Sequence, residues 1–268
     1  MASTDLLSNT NIDLHLTRNA RNIFKNIVIH DTVDSTMLEA KRFLKAHEIC
    51  HGSVILSEYQ TAGKGRLGRS FYSPKNTGIY MSIIYSAKEY SNMQKDCAGI
   101  TVATAVAVHN ALDSFAIDSK IKWVNDIFID QKKVCGILTE GVFSSSNSNA
   151  TFDTFIIGIG INVSKTDSEL PDDIKDIATF LPKDVNRNHL VSEILNQIAT
   201  IFTEQSNLEI IDSYREHSLV LGKKVQVIRP DVTFPAKVLA ITDEAHLLIE
   251  LDDGTTQELL SGEVSIRF

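Results

Sequence analysis

Near Ser218 the chain changes texture, and this constrains the fold more than any other feature. Before it, apolar runs of strand length alternate with stretches of helical spacing. After it, LGKKVQVIRP, TFPAKVLAIT, HLLIELDDGTTQELL and EVSIRF are short alternating segments, and Asp253-Gly254 signals a tight hairpin. These strands and turns predict a small β-barrel over 219–268, appended to an α+β domain over 1–218. A length of 268 residues suits one large unit plus one small one, with a core that needs no cross-links.

Within the large unit, strands are expected around Ile27-Val28-Ile29, at Ser53–Ser57 and at Gly78–Ser86. Thr36 and Glu39 stand at capping-box spacing before a helix reaching Lys45. A long helix is expected over Gln94–Phe115. Lys120–Val124 alternates, placing Lys120 and Lys122 on one face and Ile121 and Trp123 on the other. Ile127–Ile129 and Val134–Val142 read as a hairpin around Asp130-Gln131-Lys132, and Thr154–Val163 as a buried strand. Further helices are expected at Ile174–Phe180 and Leu190–Tyr214. The first 20 residues read as a frayed start, and Ser144–Ser148 as a surface loop.

Charge narrows the function classes. Lys and Arg total 26, Asp and Glu 34, giving a net charge of −8. That disfavours a general affinity for nucleic acid or anionic membrane. The longest apolar stretch, Ile100–Ala107, is too short to span a bilayer, and the N-terminus lacks a signal-peptide core. The three cysteines, at 50, 97 and 135, have no metal-ligand spacing, and their odd number argues against a disulfide framework. A reducing cytoplasm is the expected location. Cys135 reads as a small core residue.

One segment inverts the charge. From Tyr59 to Lys88 there is no Asp or Glu, but Lys64, Arg66, Arg69, Lys75 and Lys88 are present. At its centre lies GKGRLGR, Gly63 to Arg69, with three glycines and three cations in seven residues. Glycines let backbone N–H groups approach an anion, and the cations neutralise it, so phosphate is the natural ligand. Gly63, Gly65 and Gly68 satisfy GxGxxG, but no helix pattern follows, as a dinucleotide site needs. Kinase triplets are absent, and Gly65 stands where a P-loop needs Ser or Thr.

Other residues admit two readings each. Lys122 is either a point charge for a phosphate or carboxylate, or an exposed strand lysine. Asn125-Asp126 is either a simple turn or a source of oxygen ligands for a substrate or a hard cation such as Mg²⁺. Gly136, inside VCGILTE, suggests close approach of a backbone or ligand, and Gly158 and Gly160 suggest a pocket wall. Asn162 either meets a base edge or ends its strand with a turn.

EYQTAGKGRLGRSFYSP (Glu58–Pro74), KWVND (Lys122–Asp126), KVCGILTE (Lys133–Glu140), GIGINV (Gly158–Val163) and SGEVSIR (Ser261–Arg267) occur in the order seen in biotin–protein ligases, which the chain resembles patchily from Asp31 to Arg267. The resemblance implies a class II synthetase-like catalytic domain and a C-terminal SH3-like barrel. It implies activation of biotin by MgATP to biotinyl-5′-AMP, then transfer to a lysine of the biotin carboxyl carrier domain of acetyl-CoA carboxylase. Ser35, Thr36 and Gln60 would line the ureido site, with Gly63, Arg66, Lys122 and Gly136 also on biotin. Gly65, Arg66, Gly68, Arg69, Lys122, Asn125, Asn162 and Arg267 would meet the ATP or adenylate. Catalysis would fall to Lys122, Arg66 and Arg69, and no resident metal ligands are assigned.

Met37 stands where the family often has Asn, Val124 where it usually has Pro, and Lys64 and Leu67 where its loop often has Arg. Only about 25 residues precede the catalytic pattern, so a DNA-binding domain and DNA partner are not expected. Either a monomer or a homodimer fits. The rivals are a lipoate- or octanoyl-type ligase on the same scaffold and a non-catalytic biotin or nucleotide sensor.

Overall fold

The computed structural model describes residues 5–46, 51–86, 96–142, 154–165, 170–229, 232–260 and 262–265. Seven strands form the main sheet: β1 (Asn26–His30), β2 (Ser53–Ser57), β3 (Gly78–Ser86), β4 (Lys120–Lys122), β5 (Asp126–Ile129), β6 (Lys132–Val142) and β7 (Thr154–Asn162). Their order is β1-β2-β3-β7-β6-β5-β4. β1 and β2 run parallel, and every other pair is antiparallel.

Period-two alternation divides the apolar residues between the two faces. Ile55, Ile84 and Ile156 pack under helix α3 (Thr36–Ala46) with Met37 and Ala40. Val54, Leu56, Ile83, Tyr85 and Ile157 face the main core. That core holds α4 (Cys97–Ser114), buried from Ile100 to Leu112 apart from Asn110. Asp96 caps α4 by accepting from the Gly99 N–H at 2.8 Å. Cys135 is wholly buried, and burial pushes its thiol pKa upward.

From residue 5 onward the polar start is ordered rather than frayed. It forms helices α1 (Asn9–His15) and α2 (Arg18–Ile23), with Ile12 and Ala20 buried. These are held by helix α5 (Arg187–Glu204), through Asn188, Ser192 and Asn196 bonding to the backbone of residues 6–17. The expected helix over Leu190–Tyr214 is two. Ser206 starts α6 (Asn207–Glu216) with a capping box to Glu209, which ends the longer run. Ile174–Phe180 is not helical. Its backbone turns, then pairs with Lys133 through Ala178. The expected loop Ser144–Ser148 lies outside the described residues.

Beyond Ser218 come β8 (Lys224–Ile228), β9 (Thr233–Ile241), β10 (Leu247–Glu250), β11 (Thr256–Leu259) and β12 (Glu263–Ser265). They form an antiparallel sheet in the order β11-β10-β9-β8-β12. Among the described residues the ring does not close by a β11–β12 ladder, and the arrangement is consistent with an SH3-like unit. Val225, Val238, Leu247 and Ile249 join the core cluster that includes α4.

Candidate active site

The cleft opens on the α3 face of the main sheet, where the apolar pattern gives way to glycine. Gly136 pairs with Gly160 across β6 and β7, and Leu138 with Gly158. Each glycine has a side chain lying where its own Cβ would be. A Cβ on Gly136 would meet the Lys133 Nζ at 2.9 Å, one on Gly160 the Phe71 ring at 2.6 Å, and one on Gly158 the Met37 Sδ at 2.7 Å. The glycines thus form a floor on which Lys133, Phe71 and Met37 lie flat. The cleft above, taken together with the solvent space at its mouth, spans about 440 Å³ not filled by protein atoms.

One end is polar and uncharged. Ser82 Oγ donates to Thr36 Oγ1 at 2.8 Å, and the Thr36 N–H donates to Gln60 Oε1 at 2.9 Å. Gln60 Nε2 donates to Ser73 Oγ at 2.8 Å. Ser35 caps α3 through its carbonyl, which accepts from the Glu39 N–H. Its hydroxyl is buried at the cleft and has no hydrogen-bond partner. A buried orphan hydroxyl is costly unless a ligand satisfies it.

The other end is basic. Residues 63–71 fold back on themselves: Phe71 N–H donates to Gly63 O at 2.9 Å and Gly65 N–H to Arg69 O at 2.8 Å, around a 3₁₀ turn at Arg66–Gly68. Leu67 and Gly68 have φ of 55° and 75°. A side chain on Gly63 would collide with Phe71 O at 2.5 Å, so glycine is required there. Arg66 reaches across the cleft, and its Nη1 donates to Asn125 Oδ1 at 2.7 Å. Lys133 Nζ pairs with Asp126 Oδ1 at 2.7 Å. The Lys133 backbone is held on both sides, by Ile177 O and by the Thr179 N–H, at 2.8 Å each.

The structure brings Ser35, Thr36, Gln60, Gly65, Arg66, Asn125 and Gly136 together around this cleft. Gly68 and Arg69 line an adjoining outer groove with Lys64, Leu67 and Glu140. Gly63 lines neither of these; it packs against Phe71 O, Ser73 and Gln60. Lys122 does not line the cleft; its ammonium lies 5.2 Å from the Phe128 ring centroid, while Ile121 and Trp123 are buried as the alternation required. Asn162 also lies outside the lining, with its Nδ2 donating to Thr179 O at 3.1 Å. Arg267 lies outside the described residues.

Lys133, part of KVCGILTE but given no role from the sequence, lines the cleft. Three positions before Gly136, a regular strand would place it on the opposite face. A register shift between β5 and β6 at Ile127/Phe128 breaks that count and re-aims it. Lys64, Phe71 and Met37 also line the cleft without having been assigned to it.

Comparison with known proteins accords with this geometry. The profile of the biotin/lipoate A/B protein ligase family matches residues 29–162, and that of the biotin protein ligase C-terminal domain matches 220–267. The bifunctional ligase/repressor BirA of Bacillus subtilis is 30% identical over 250 residues, covering 90% of this chain and 74% of that protein. The biotin--[acetyl-CoA-carboxylase] ligase of Mycobacterium tuberculosis is 26% identical, covering 80% of this chain and 78% of its own. The biotin protein ligase of Aquifex aeolicus, solved with biotin and ATP, superposes with a TM-score of 0.74 at 31% identity, over 91% of this chain and 99% of that one. The chain therefore belongs to the biotin/lipoate A/B protein ligase family and carries the C-terminal domain of the biotin protein ligases.

Proposed function

We propose that the chain is a biotin–protein ligase that activates biotin with MgATP and transfers it to a lysine of a carboxyl carrier domain. The observation that carries this is the polarity of one cleft, with an orphan hydroxyl in a neutral polar pocket at one end and Lys133, Arg66 and Lys64 at the other. A urea at one end and a carboxylate at the other is the ligand that fits both. The match of the C-terminal domain favours biotin over lipoate.

Ser35, Thr36 and Gln60 hold the ureido ring, and Met37 and Leu138 line its apolar flank. The carboxylate then lies near Lys133, above Gly136. Its oxygen attacks the α-phosphorus of ATP; the P–O bond to pyrophosphate breaks and pyrophosphate leaves with the electron pair. Lys133 and Arg66 offset repulsion between the two anions and stabilise the charge that builds between them. Asn125 holds Arg66 at the cleft mouth, and Gly65, Gly68 and Arg69 complete the loop over the phosphates. In the second step the carrier lysine's amine attacks the acyl carbon and AMP leaves. A loop covering the anhydride keeps water away until then. Asn162 and Arg267 are placed toward the nucleotide on family resemblance alone.

Mg²⁺ enters with the triphosphate as part of the substrate. Among the described residues no three His, Cys, Asp or Glu converge on a metal position, and Asp126 is already held by Lys133 and Asn125. No helix among them is long and apolar enough to cross a membrane. Likeness to a biotin--[acetyl-CoA-carboxylase] ligase supports the carrier domain of that carboxylase as the partner.

The test is incubation with biotin, MgATP and an isolated carrier domain. A mass gain of one biotinyl group at one lysine supports the proposal. Equal transfer of lipoate or octanoate, or no transfer at all, rejects it.

A further inference from the structure

Trp123 is the chain's one tryptophan, and it makes a contact that the reaction scheme does not use. Its indole is buried, and its Nε1–H donates to the Ala245 carbonyl at 2.8 Å, joining the catalytic unit to the second sheet. Ala245 sits in the turn between β9 and β10, with φ at 65°. That turn is closed internally, with Thr242 accepting from the N–H groups of Ala245 and His246. Arg215 of α6 secures it from outside, through Ile241 O at 2.8 Å and Asp243 Oδ1 at 2.6 Å. The carbonyl is therefore presented to the indole from a fixed frame.

From Trp123 the route to the cleft is two residues long. Val124 O accepts from the Tyr214 hydroxyl at 3.1 Å. Asn125 O accepts from the Ile137 N–H at 2.9 Å, and its Nδ2 donates to Ile137 O at 2.9 Å. The Asn125 Oδ1 that remains receives Arg66. Only this short turn, bonded at Val124 O and at both ends of Asn125, separates the indole from the residue that holds the basic loop.

We propose that the second sheet sets the position of the Arg66 loop through the Trp123–Ala245 bond, making Trp123 a positioning residue for nucleotide binding. Losing the N–H strands a buried carbonyl, so the indole and the turn part. Small displacements of this kind are felt at a reacting centre far more than in the fold. The inference rests on the ligase reading for its kinetic readout only.

Because there is one tryptophan, growth of an auxotroph on 3-benzothienylalanine replaces this indole alone and keeps its shape without the N–H. Asp243→Ala loosens the same turn from the α6 side, touching neither indole nor cleft. In the ligand-free chain, amide exchange at residues 64–69 should quicken in both proteins. In pyrophosphate exchange, kcat/KM for ATP should fall about tenfold, the scale of one lost net hydrogen bond, with the melting temperature little changed. In an Asn125→Ala background the benzothienyl substitution should add nothing further. Unchanged loop exchange, or an effect that adds fully to Asn125→Ala, overturns the proposal. If the unmodified chain shows no pyrophosphate exchange, the ligase reading fails, and loop exchange still decides the positioning claim.

Discussion

In the proposed reaction the chemistry turns on Lys133. Its ammonium lies over Gly136, in the cleft that Arg66 also lines. Removing one such electrostatic donor costs about 10²–10³ in rate. Lys133→Ala should therefore lose biotinyl-adenylate formation by that factor, with a melting temperature close to that of the unmodified chain. Lys122→Ala should lose less than about tenfold, a difference that steady-state exchange kinetics read directly. At the other end, Ser35→Ala should raise the KM for biotin about tenfold and leave kcat nearly unchanged, since uniform binding is lost. The site was only partly legible from the sequence. Ser35, Thr36 and Gln60 came only from the family resemblance, whereas the basic glycine loop announced itself by composition and spacing. Lys133 did not, because strand alternation tells which face a residue takes only while the register is regular, and here it slips.

At the scale of elements, the glycine floor and the buried face of α4 each yield a measurable consequence. Gly160→Ala puts a methyl 2.6 Å from the Phe71 ring, which must leave the cleft floor. Overpacking of this kind costs about 1–3 kcal/mol, and the KM for biotin should rise alongside, as thermal unfolding and exchange kinetics would show. On α4, His109 bonds Ser119 at 2.9 Å and lies against His217, with ring centroids 3.9 Å apart and planes tilted by 36°. Burial, then the His217 and Lys120 charges, hold its pKa down from 6.5 to about 4, against opposing pulls from Asp113 and Asp118. The folded chain thus keeps His109 neutral where the unfolded chain binds a proton. Stability is fully present above pH 6.5 and falls as pH drops toward 4, by roughly 2 kcal/mol for this group. Denaturation midpoints at pH 7.5, 5.5 and 4.5 should show that slope, flattened in His109→Gln. The strands at 53–57 and 78–86 were legible because each is a short, largely apolar run that the sheet buries on both faces. Helices α1 and α2 were not, because they are short and polar and rely on Asn188, Ser192 and Asn196, far away in sequence. The Ile174–Phe180 segment has helical spacing, but the Lys133 backbone claims its hydrogen bonds.

For the whole molecule, a net charge of −8 confines phosphate affinity to the neighbourhood of Lys64, Arg66, Arg69 and Lys133. Few released counterions mean weak duplex binding, so a retardation assay at physiological salt should show no discrete, competitor-resistant complex. The change of texture at Ser218 forecast a second unit. It did not forecast that this unit reaches back through Ala245 to the turn carrying Asn125, because that contact depends on how two sheets pack. The proposed reaction joins the carboxylate of biotin to the α-phosphate of ATP in this one cleft. Biotin-dependent exchange of labelled pyrophosphate into ATP reports that step with no carrier present. Exchange should require biotin and fall by about 10²–10³ in Lys133→Ala. Exchange without biotin, or undiminished in Lys133→Ala, would overturn that assignment.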